Sequence, residues 1–68
     1  MYKTKDDLPK GVKDNLPKHA QDIYKEAYNA ALDEHGSEAN SEQIAHKIAW
    51  SAVKKSYEKV EGEWRAAD

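Results

Sequence analysis

The sequence predicts a mainly α-helical fold, a small three-helix bundle with a short first helix and two long ones. Three observations predict it. Two Leu-Pro steps, Leu8-Pro9 and Leu16-Pro17, follow each other closely near the N-terminus. Two long stretches then place their apolar residues at helical spacing, and a glycine stands just beyond each, Gly36 and Gly62. Proline is favoured at the first position of a helix, where its fixed φ suits and its missing N–H is not needed. Pro9 and Pro17 therefore read as two successive helix starts. The leucine before each is biased toward extended backbone, which lets its side chain fold back on the new helix like a hydrophobic staple.

The elements follow in order. The first helix is expected from Pro9 to about Asn15, with Asp6 or Asp7 placed to cap its free amides. The second should run from Pro17 to about Glu34, with Ala20, Ile23, Tyr24, Ala27, Tyr28 and Ala31 on one face. Gly36 reads as its left-handed stop. The third should start near Asn40 or Ser41, Asn40 and Gln43 forming a capping-box-like pair. Its stripe is Ile44, Ala45, Ile48, Ala49, Ala52, Val53, Tyr57 and Val60, ending before Gly62. Tyr2-Lys3-Thr4 and Glu63-Trp64-Arg65 are the segments able to join the termini in a minimal two-stranded sheet, although so small a sheet is marginal by itself.

Size and composition bound the rest. The chain of 68 residues makes a single domain over 1–68, near the lower limit for a core without staples. Alanines on both stripes allow close helix approach but bury little area. The core must rely on Leu8, Leu16, Ile23, Tyr24, Tyr28, Ile44, Ile48, Trp50, Val53, Tyr57 and Trp64. At roughly 1.5–3 kcal/mol per large side chain buried, the gain only modestly exceeds the ordering entropy. A marginal domain, or one helped by a partner, is expected. Without cysteine there are no disulfides or thiolate metal sites. No apolar run approaches the roughly 18–20 residues that cross a bilayer, and the polar N-terminus lacks a secretory pattern. A soluble, cytoplasmic protein is the expectation. With 13 acidic against 11 basic residues, closely interspersed, a partner held by phosphate neutralisation is disfavoured.

The Leu-Pro block, the run His19-Ala20-Gln21-Asp22-Ile23-Tyr24, and the run from Ala45 through Trp50 and Val53 to Tyr57 together resemble the ChaB family of small bacterial proteins. The likeness extends from about Tyr2 to Trp64. It implies a regulator of cation transport, the family label resting on association with a calcium (sodium)/proton antiporter. It supplies no catalytic motif.

The candidate sites are few. His19 with Asp22, and Glu42 with His46, have helical spacings that offer two ligands each, where a structural metal needs four. His19 is expected near Pro17 and His46 at the border of the core. Asp33, Glu34, Glu38 and Glu42 gather around the interhelical loop without the pattern of an EF-hand. Neither metal nor cofactor is expected. Lys10, Lys13 and Lys18, and Lys47, Lys54 and Lys55, read first as solvated faces, with Asp14/Lys18 and Glu42/Lys47 as neighbouring pairs. No cysteine nucleophile, phosphate loop or Gly-x-Ser-x-Gly elbow is present, so no enzyme is expected. The candidate partner surface is Trp50, Lys54, Lys55, Tyr57 and Trp64, since Trp and Tyr are enriched at interaction hot spots. Its partner would be a protein, in the family's terms the cytoplasmic face of a cation/proton antiporter. The alternative is a nucleic-acid-associated accessory module using the lysine clusters.

Overall fold

Pro9 and Pro17 open helices as their fixed φ dictates, but from one residue outside. In the computed structural model, which describes residues 2–67, both prolines are N-caps, with φ/ψ of −55°/146° and −59°/161°. Helix α1 therefore spans Lys10–Asn15 and α2 spans Lys18–His35. Each proline still accepts the first helical bond. Lys13 N–H reaches the Pro9 carbonyl at 3.0 Å and Gln21 N–H the Pro17 carbonyl at 2.9 Å. The extended ψ turns the chain so that Leu8 and Leu16 point inward, and both are buried. Neither Asp6 nor Asp7 caps α1. Asp7 instead accepts the Thr4 N–H at 3.3 Å, closing a short 3-10 turn over Lys5–Asp7.

Gly36 ends α2 for a different reason from the expected one. Its φ/ψ is −60°/−22°, right-handed and open to any residue. A Cβ there would lie 2.6 Å from the Leu32 carbonyl oxygen, so close backbone approach is what calls for glycine. Helix α3, Ser41–Ser56, has Asn40 at its N-cap as expected. The capping box with Gln43 does not form. Asn40 caps through its carbonyl, which accepts Ile44 N–H at 3.1 Å.

The main correction lies beyond Ser56. The third helix stops there, and Tyr57–Val60 becomes strand β1, paired antiparallel with β2, Glu63–Ala66. The two-stranded sheet is present, but Glu63-Trp64-Arg65 pairs with Tyr57–Val60 and not with Tyr2-Lys3-Thr4. Tyr57 and Val60 fit a helical stripe, yet both types also favour strands. Glu61-Gly62 supplies a two-residue turn with φ of 50° and 83°, the positive values of the hairpin turn whose twist matches its strands. Extended backbone still buries Tyr57, while Val60 is left 36% exposed. Tyr2 finds its partner elsewhere. The Asn29 amide accepts from Tyr2 N–H at 2.9 Å and donates to its carbonyl at 2.7 Å, offering the pair of bonds a neighbouring strand would.

Leu8, Val12 and Leu16 pack under α2 and α3, whose Ala20, Ala45 and Ala49 are wholly buried. Around them lie Tyr24, Tyr28, Ala31, Val53 and Tyr57. Ile48 leaves the expected core, being 38% exposed. Glu61 carries the one positive φ among the described non-glycine residues, a conformation costing an L-residue about 1–2 kcal/mol but tolerated by asparagine. Glu61→Asn should therefore stabilise the domain by about 0.5–1 kcal/mol, read as a higher urea midpoint. An unchanged or lower midpoint would refute the assignment of strain to this turn.

Candidate functional site

The hairpin folds back so that Trp64 meets Trp50. Trp50 lies on α3. Trp64 lies on the face of β2 shared with Ala66 and with its cross-strand partners Lys59 and Tyr57. Tyr57 is buried, so this face turns toward the helices. The two indoles sit 5.5 Å apart with planes tilted by 33°, both half-buried. Lys54, one turn beyond Trp50, is exposed, as are Lys55 and Lys59. Among the described residues none of these three lysines is in an ion pair.

Behind the tryptophans a polar chain runs inward. The Trp50 indole N–H donates to His46 Nε2 at 3.1 Å, and His46 Nδ1 bonds the Tyr24 hydroxyl. An indole nitrogen only donates, so Nε2 must be unprotonated and Nδ1 must carry the ring's proton. His46 is thus held as the neutral Nδ1–H tautomer, donating to the Tyr24 oxygen. Tyr24 is fully buried. Burial, with Tyr2 and Tyr28 adding to it, pushes its hydroxyl pKa up to about 12. Tyr28 is raised by burial as well, then by Tyr2 nearby and by Glu42.

Three of the five expected surface residues, Trp50, Lys54 and Trp64, share one region, whereas Lys55, five residues on from Trp50, lies about 140° around α3 from it. Tyr57 does not join them as a contact residue. Its ring is core, and its hydroxyl meets His19 Nδ1 at 3.1 Å. The sequence reading placed His46 at the border of the core but missed its bonds to both Trp50 and Tyr24. The spacing His46-x-x-x-Trp50 was the available signal. Lys59 could not be found without the strand register.

Other candidates disperse. Asp22 meets Lys5 at 3.5 Å, and among the described residues no three His, Asp or Glu gather as metal ligands. The expected pairs Asp14/Lys18 and Glu42/Lys47 are absent among the described ion pairs, which are Lys5–Asp22, His35–Glu38 and Glu63–Arg65. Beyond His46 lies a shallow open cleft of about 550 Å³ lined by Tyr2, Tyr28, Glu42, Gln43, His46 and Lys47.

The ChaB family model matches residues 8–67. The chain belongs to the ChaB family. Relatives from Escherichia coli K12 and Shigella flexneri, each named "Putative cation transport regulator ChaB", are 55% identical over 64 residues, covering 85% of this chain and 84% of theirs. A ChaB protein solved by NMR in solution is 47% identical and superposes with a TM-score of 0.84 over the full length of both chains. The bundle with its terminal hairpin is thus a ChaB fold. Among the described residues no helix is long and apolar enough to cross a membrane.

Proposed function

We propose that this chain is a non-catalytic, cytoplasmic interaction module that regulates cation transport by docking on an acidic cytoplasmic segment of a cation/proton antiporter. The regulatory part of the reading comes from the names of its ChaB relatives. The observation that carries the docking part is the half-buried Trp50–Trp64 pair bordered by exposed lysines. Paired indoles offer a large, rigid, apolar contact with polar handles, the composition of interaction hot spots. Lys54, one turn from Trp50, and Lys59, opposite Trp64, favour an acidic partner and would speed the encounter more than they tighten it.

The test is binding of the labelled protein to a peptide copying such a segment, followed by amide NMR. Trp64→Ala should weaken binding by about tenfold or more, as truncation of a hot-spot aromatic does. Lys54→Glu should weaken it and flatten its salt dependence. Both variants should keep a dispersed amide spectrum. Unchanged binding in both would remove this surface from the mechanism. Salt-dependent binding to duplex DNA in place of the peptide would favour the nucleic-acid reading.

A further inference from the structure

We infer that His46 is a proton-operated latch on the Trp50–Trp64 face. Its two ring nitrogens are not equivalent. Nδ1–H donates to the Tyr24 oxygen, a bond that an imidazolium makes equally well. Nε2 accepts from the Trp50 indole at 3.1 Å, a bond that an imidazolium cannot make, because both nitrogens then carry hydrogen. Proton uptake therefore leaves the ring anchored to buried Tyr24 and sets two N–H groups against each other at Trp50. The indole must turn or lose its partner. Trp64, which lies on Trp50, feels that change directly.

The surroundings let the ring exchange protons. His46 is exposed along one edge and lines the open cleft. The groups facing it are known from each neighbouring element. Glu42 and Lys47 come from its own helix, Tyr24 and Tyr28 from α2, and Tyr2 from the N-terminal segment. Trp64 and its cross-strand neighbour Lys59 stand beyond Trp50. The two charged side chains that line the cleft with it, Glu42 and Lys47, are opposite in sign. Tyr24 and Tyr28 remain neutral where histidine titrates, since burial raises both.

The consequence for docking rests on the reading proposed above, whereas the latch does not. Proton uptake frees an indole donor and adds a positive charge one turn along α3 from Trp50, so an acidic peptide should bind more tightly when His46 is protonated.

The experiment is a pH titration by NMR of the whole protein without a partner, following the Trp50 indole N–H and the ring protons of all three histidines. The Trp50 indole proton should move upfield as pH falls, along the curve of the His46 ring and not those of His19 or His35. In His46→Gln it should lose that dependence, with the amide spectrum dispersed throughout. A Trp50 resonance unmoved while His46 titrates would overturn the latch, as would one that still titrates in His46→Gln. Repeating the peptide titration at both ends of the curve separates the two ideas. If the indole follows His46 but no peptide binds at either pH, the latch stands and the docking reading falls.

Discussion

Tyr24→Ala should leave the chain unfolded, or folded in only part of the population, at room temperature. Tyr24 is the largest wholly buried side chain among the described residues, and its ring meets Tyr28, His46 and Trp50. Removing a large aromatic ring from a packed core costs about 3–5 kcal/mol, from lost transfer energy and the cavity left behind. A domain of this length has a total stability of only about 3–10 kcal/mol. Thermal unfolding by circular dichroism checks this. Tyr24→Phe is the comparator, since it keeps the ring and deletes only the hydroxyl. That change should cost about 1 kcal/mol, because exposed His46 can turn its N–H to water. A Tyr24→Ala variant melting as cooperatively and nearly as high as the parent would show that the core does not depend on this ring.

Tyr24 was also one of the residues most legible in the sequence. A helix buries residues at i, i+3, i+4 and i+7, and Ala20, Tyr24, Tyr28 and Ala31 had to share a face once Pro17 fixed the start. The same logic found Ala45, Ala49 and Val53. It went wrong where two periodicities fit one segment. Tyr57 and Val60 extend the α3 stripe by four and seven residues from Val53, but they also open a strand that Glu61-Gly62 can turn. The long-range contact of Trp64 with Trp50 tips the balance toward the hairpin, and local pattern does not contain it. Val12 was missed for a related reason, since six residues of α1 are too few to show a period. At the site, Trp50, Lys54 and Trp64 could be named as residue types suited to an interface. The His46–Trp50 bond had its signal in the i, i+4 spacing on α3, but the bond to Tyr24 did not, because a hydrogen bond between helices depends on their rotation about each other.

The same buried hydroxyl sets a limit on the alkaline side. Burial pushes the Tyr24 hydroxyl up to about 12 in the fold, against the ordinary tyrosine value of about 10 that holds in the unfolded chain. Its folded-state pKa is raised, so the stabilisation is fully present below pH 10 and is lost as pH climbs from about 10 toward about 12. At about 1.4 kcal/mol per unit, full ionisation removes about 2–3 kcal/mol, a large share for so small a domain. Tyr28 shifts in the same direction and adds to the loss. Helical circular dichroism should therefore decline through this interval, and the last of the four tyrosines to ionise by ultraviolet absorbance should do so together with that decline. Tyr24→Phe should hold its helix to higher pH than the parent despite being slightly less stable at neutral pH. That inversion of order is the informative result. A destabilised variant outlasts its parent only where the deleted group is the one whose ionisation the fold resists. If the parent keeps full helical signal after all its tyrosines have ionised, the Tyr24 hydroxyl reaches water more freely than its burial between α2 and α3 allows.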